Sequence, residues 1–116
     1  MPQADCDLYL FRAGVKPLWE DEANQGGGCF KIKIDKKKSN KLWQNAVFTM
    51  VSPKNRYSDL MNGIRIKVRE FFDEIEIWMN AEAADRERLE GLKNILKENL
   101  QLTDDRTYNF LSFSKK

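Results

Sequence analysis

Three stretches of this chain alternate residue by residue between apolar and polar side chains, and that period admits little besides antiparallel sheet. Phe30, Ile32 and Ile34 alternate with Cys29, Lys31 and Lys33. Ile64, Ile66 and Val68 alternate with Arg65, Lys67 and Arg69, and Ile75 and Ile77 with Glu76 and Trp78. Successive side chains of a strand point to opposite faces, so each run has one buried and one wet side. The last two runs are separated by a short acidic connection and predict a hairpin. Leu8 to Phe11 reads as a short strand stopped by Ala13-Gly14 and Pro17, and Thr107 to Ser114 as a final strand.

Between the strands the period changes to helical. Leu42, Trp43, Ala46, Val47, Met50 and Val51 share one face after Ser39 or Asn40, either of which can cap the helix. Trp43 on that face is a core residue. A second helix is predicted over Ala84 to Leu100, with Leu89, Leu92, Leu96 and Leu100 on one stripe. The order strand, strand, helix, hairpin, helix, strand describes one α+β domain over residues 1–116, an antiparallel sheet with helices on one face.

If the isoleucines pack under the helices, Lys31, Lys33, Arg65, Lys67, Arg69 and Trp78 all project from the other face. Cations interleaved with an exposed indole suit nucleotides and their phosphates, although charges on an open sheet face are often only solvated. The net charge of +2 is too small to argue for nucleic acid by itself. Histidine is absent and there are two cysteines, Cys6 and Cys29, which argues against a structural zinc and against His-dependent nucleophiles. No cofactor, metal or enzymatic activity is expected. Two free thiols suit a reducing compartment. No apolar run long enough to span a membrane and no secretory signal is seen, so no membrane partner is expected.

One segment carries more specific chemistry: Asp7 to Phe30, DLYLFRAGVKPLWEDEANQGGGCF. In it Trp19 precedes Glu20 directly, after a Lys-Pro-Leu turn and before three glycines. An indole face attracts a flat cation through its quadrupole. A carboxylate accepts two parallel N–H bonds in its plane. A base that is flat, cationic and edged with donors meets both demands, and N7-methylguanine is such a base.

The string LYLFRAGVKPLWEDEANQGGGCF resembles the core signature of the translation initiation factor 4E family of messenger RNA cap-binding proteins. The resemblance continues in order through KLWQNAVF, NGIRIKVR and EIEIW to the last strand. It implies a curved antiparallel sheet with helices on its convex face. It also implies a 5'-capped mRNA ligand and work in the cytoplasm, with the nucleus as a second compartment. By this resemblance Trp19 stacks the methylated base, Glu20 accepts the guanine N1–H and N2–H, Trp78 touches the N7-methyl group and Arg69 contacts the phosphates. Lys31, Lys33, Arg65 and Lys67 are further phosphate candidates.

The chain also departs from the family pattern. The family carries two strands, a helix and the first sandwich tryptophan ahead of the segment matched by Leu8. The expectation is therefore a shortened domain in which Trp19 stacks on one face only, at a cost of about 1–3 kcal/mol. An open sheet edge is expected with it. Cys29 stands where the family usually has a basic residue, and Glu74 where it often has lysine. Gln44 and Asn45 replace a Leu-Glu pair that contributes to binding initiation scaffolds and 4E-binding proteins, so that helical surface is expected to be degraded. Three readings result. The first is a cap-binding protein in translation initiation or its regulation. The second is a shortened relative acting as a protein-interaction module or competitor with little cap binding. The third is a generic RNA-binding sheet.

Overall fold

The structure, a computed structural model, describes residues 6–18, 20–80, 85–100 and 108–112. Every expected element is present, with Ala84 of the expected second helix and Thr107, Phe113 and Ser114 of the expected last strand lying outside the described residues. The strands are β1 (Cys6–Phe11), β2 (Gly28–Ile34), β3 (Met61–Val68), β4 (Asp73–Met79) and β5 (Tyr108–Ser112). The helices are α1 (Ser39–Val51) and α2 (Arg86–Asn99). All strand pairs are antiparallel, in the order β1-β3-β4-β2-β5. The α+β class with helices on one face is thus observed.

The core lies between the sheet and the helices. Phe30, Ile32 and Ile34 of β2, Ile64, Ile66 and Val68 of β3, and Ile75 and Ile77 of β4 are buried there. Leu42, Ala46 and Met50 of α1 and Leu92 and Leu96 of α2 cover them, with Leu100 just beyond. Trp43 packs partly buried against this cluster, as its helical position predicts. Each fully buried Leu or Ile contributes about 1.5–3 kcal/mol over its exposed state, so this two-layer contact dominates the stability. Val51, expected on the core face, is instead 63% exposed at the last turn of α1.

The helix starts follow their caps. Asp85 precedes α2 and accepts from the amides of Glu87 (3.1 Å) and Arg88 (3.3 Å). At α1 the expected cap by Ser39 or Asn40 is replaced by a different device. A 3-10 turn at Lys36–Lys38 precedes the helix, and Asp35 accepts from the Lys37 amide at 3.0 Å. The Ser39 hydroxyl is drawn away to the buried Asp73 at the start of β4. Asp73 also accepts from Lys36 Nζ at 2.5 Å and from the Arg69 amide at 3.3 Å. One carboxylate therefore ties the β3–β4 connection to the entry of α1. Burial alone would raise its pKa, but the Lys36, Ser39 and Arg69 hydrogen bonds outweigh that and hold it below the usual value.

Candidate functional site

The pairing registers set the open face of the sheet in three rows. Phe11, Gly63, Trp78 and Cys29 lie side by side across β1, β3, β4 and β2. The next row is Tyr9, Arg65, Glu76 and Lys31, and the third is Asp7, Lys67, Glu74 and Lys33. Rows of like phase are about 7 Å apart along a strand, so the face grades from aromatic to charged over that spacing. The expected cations do share one face, because the pleats match.

The first row is an aromatic floor. Phe11 meets the Trp78 ring edge-on, with centroids 5.5 Å apart and planes at 73°. Glycine is required between them: a Cβ on Gly63 would sit 2.2 Å from the Phe11 ring. The expectation of an exposed Trp78 is corrected here. Its indole is only 6% exposed, and its Nε1–H donates to Glu76 Oε1 at 2.9 Å. An indole beside a buried carboxylate satisfies its one donor, which is why a tryptophan tolerates this depth.

The two charged rows hold acids as well as bases. Arg65 is paired to Asp7 at 2.8 Å and to Glu76 at 3.3 Å, and stands 5.3 Å over the Tyr9 ring. Lys67 approaches Glu74 at 3.3 Å and Glu76 at 3.6 Å, and Lys31 approaches Glu76 at 3.7 Å. Arg69, just past β3, donates to Asp7 at 2.9 Å and to the Val68 carbonyl at 3.0 Å. Lys33 is exposed, 4.9 Å over the Phe72 ring. Burial would raise the Asp7 pKa, but hydrogen bonds from Arg69 and Arg65 prevail and lower it. The picture of a bare basic face is therefore incomplete. Asp7 and Glu76 partner the cations, and the alternation that places Glu76 among them was the available sequence signal.

The loop from Arg12 to Gly27 joins β1 to β2 beside the aromatic row. Asn24, fully buried, organises it. Its Nδ2 donates to the carbonyls of Lys16 (2.9 Å) and Leu18 (2.8 Å), and its Oδ1 accepts from Asn62 of β3 at 2.8 Å. Asn62 also donates to the Ala23 carbonyl at 2.7 Å. Asp21 accepts from the Ala23 amide (2.9 Å) and the Lys16 amide (3.0 Å), which lowers its pKa. Arg12 fastens the loop's start through the carbonyls of Met61 (2.7 Å) and Ser58 (2.6 Å). At its end Gly27 passes so close to β4 that a Cβ would lie 1.9 Å from the Met79 carbonyl oxygen.

Glu20 is exposed on this loop, and its carbonyl accepts from Gln25 Nε2 at 3.1 Å. Trp19, the residue before it, lies outside the described residues. The loop-holding residues Asp21, Asn24 and Asn62 were not singled out from sequence. The signal for Asp21 and Asn24 was the Asx character of a glycine-rich turn, while Asn62, inside β3, carried none.

On the opposite, helical side, a shallow cavity of about 260 Å³ is lined by Lys41, Asn45, Phe48, Glu98 and Asn99. Phe48 beside it is 61% exposed. Asn45 is committed to the helix pair, donating to the Asn99 carbonyl at 2.9 Å, while Gln44 is exposed. No helix among the described residues is long and apolar enough to cross a membrane. Among the same residues, no group of three or more His, Cys, Asp or Glu is placed to hold a metal ion.

Residues 2–116 match the family described as Eukaryotic initiation factor 4E. Among curated proteins, the chain is 36% identical over 96 residues to eukaryotic translation initiation factor NCBP of Oryza sativa, covering 83% of this chain and 42% of that protein. It is 32% identical over 102 residues to eukaryotic translation initiation factor 4E of Homo sapiens, covering 84% and 46% respectively. The chain thus spans less than half the length of these two relatives. Among solved structures, it superposes with a TM-score of 0.83 and 25% identity on Caenorhabditis elegans eIF4E-3 in complex with the 4E-binding protein Mextli and cap analog. That match covers 94% of this chain and 63% of the other.

Proposed function

Because the chain belongs to the eukaryotic initiation factor 4E family, we propose that it binds the 7-methylguanosine cap of mRNA, in translation initiation or its regulation. Trp19 stacks the base. Glu20 accepts the guanine N1–H and N2–H, and Trp78 underlies the N7-methyl group from the aromatic floor. Arg69 contacts the phosphates, with Lys31, Lys33, Arg65 and Lys67 along the same face. No catalytic step or cofactor belongs to this reading, and its place of work is the cytoplasm, with the nucleus a second compartment.

The observation that supports it best is the grading of the open face. The loop bearing Glu20 leaves β1 and enters β2 at the aromatic row, and the cations lie further along the strands. A methylated base at the loop end would send its phosphate chain toward the charged rows. A second reading, a protein-interaction module or competitor, is favoured by the apolar exposure of Phe48 in the α1–α2 cavity and of Val51 at the end of α1. Scaffold or 4E-binding peptides would dock on that side.

Titration of the chain with 7-methyl-GTP and with GTP, followed by tryptophan fluorescence, tests the proposal. The expected result is binding that prefers the methylated ligand, with the preference lost in Glu20→Ala and binding weakened in Trp19→Ala. Equal, salt-sensitive binding of both ligands would instead identify a general RNA-binding face. Absence of binding at millimolar ligand would leave the interaction module.

A further inference from the structure

The charged rows of the open face already contain their own anions. Asp7 occupies Arg65 and Arg69, Glu74 occupies Lys67, and Glu76 draws Arg65, Lys67 and Lys31 together. Glu76 is 2% exposed, so its carboxylate has no route into solvent if a ligand displaces it. An incoming phosphate would have to take these cations from fixed carboxylates and then lie beside the carboxylates it had stripped. Like charges at such spacing repel, and half-buried sites screen them poorly. Of the five cations expected to face phosphate, only Lys33 has no carboxylate partner among the described residues; it lies over the Phe72 ring.

We propose that Asp7, Glu74 and Glu76 stand in for ligand phosphates, making this a site that selects the methylated base and gains little from the phosphate chain. The inference rests on the reading that the site takes 7-methylguanine. It goes beyond that reading by naming the ligand class: 7-methylguanine compounds of any phosphate number, bound with nearly equal affinity.

The test compares 7-methylguanosine, its 5'-monophosphate and its 5'-triphosphate on the full chain, at low and high salt. In the wild type the triphosphate is expected to bind less than about fivefold tighter than the nucleoside, the ceiling typical of half-exposed ion pairs. In Asp7→Asn/Glu74→Gln that ratio rises about tenfold, and triphosphate binding becomes more sensitive to salt, as screened charge pairs require. Glu74→Gln alone, a milder change, moves the ratio in the same direction. The ratio is taken within each protein, so any loss common to both ligands cancels. A wild-type ratio of about a hundredfold, or a ratio unmoved by the substitutions, overturns the inference while leaving the base site intact. Failure of every 7-methylguanine ligand to bind overturns the proposed function, and this inference with it.

Discussion

Replacing Asn24 with alanine should release the loop that carries Trp19 and Glu20. The side chain has no exposed surface and makes three hydrogen bonds: two donated to Lys16 and Leu18 carbonyls, and one accepted from Asn62. Each buried bond is worth about 1 kcal/mol net. The Asn62 amide keeps its bond to Ala23, which limits the penalty on that side. The expected loss is therefore about 2–3 kcal/mol while the loop stays folded. With a urea m-value of about 1.5 kcal/mol/M for a domain this size, the midpoint falls by roughly 1.5 M. If instead the loop opens and its carbonyls reach water, global stability falls less, but amide exchange and proteolysis across residues 12–27 accelerate. Urea melts followed by far-UV circular dichroism, together with hydrogen exchange, measure both outcomes. Gln25→Ala is the control, since it removes one exposed 3.1 Å bond to Glu20 and should cost less than about 0.5 kcal/mol. Asn24→Ala combined with Asn62→Ala should cost less than the sum, because the two residues share a bond. A midpoint shift in Asn24→Ala below about 0.3 M, with unchanged exchange across the loop, would refute the clamp.

Two further outcomes follow from buried groups. Asp73→Asn should destabilise by roughly 2 kcal/mol near neutrality, since hydrogen bonds to a charged group are lost. The Asp73 pKa is lowered in the fold from 3.8, so its stabilisation is complete above that value and disappears as pH falls through the lower folded value. Urea melts of wild type and variant should accordingly converge in acid, and a gap that persists there would refute the assignment. Cys29 is 1% exposed and its thiol is pushed up to about 12, by burial first and then by the charge of Glu76. At mildly alkaline pH its alkylation, read by mass spectrometry of its peptide, should be about a thousandfold slower than in urea-unfolded chain. Rapid native labelling would contradict the burial.

The strands and helices were legible because their periods are clean: Ile32, Ile64, Ile66, Ile75 and Ile77 define one face without ambiguity. Pairing order and register were not, because period 2 says which side a residue faces and nothing about its neighbour. That is why Glu76 passed for a plain polar position and proved to be the buried partner of Arg65 and Trp78. The exposure of Trp78 was misjudged for the same reason, since only the register brings Phe11 over it across Gly63. Glu20 was singled out from sequence by its chemistry, and the structure places it exposed on the loop. Asn24 was not, because a clamp acts through loop geometry and a single asparagine between glycines and acids carries no periodic signal. The Asp73 bond with Ser39 joins residues far apart in sequence and displaced a helix cap that local rules favoured.

The strand order also carries a consequence for how the molecule assembles. Among the described strands, only β3 and β4, at the centre of the sheet, are partners that follow one another in the chain. Their hairpin closes a short loop, whereas β1 reaches β3 from Phe11 to Gly63 and β2 reaches β4 from Gly28 to Met79. Loop closure of that length slows folding, so the hairpin forms early and the flanking strands condense onto it late. The open face needs all four of these strands, and its rows are complete only when the last has docked. A ligand held there would bind the native state alone and stabilise the whole chain by mass action, about 2.7 kcal/mol at a hundredfold excess over Kd. Occupancy of the face and completion of the fold are then one equilibrium.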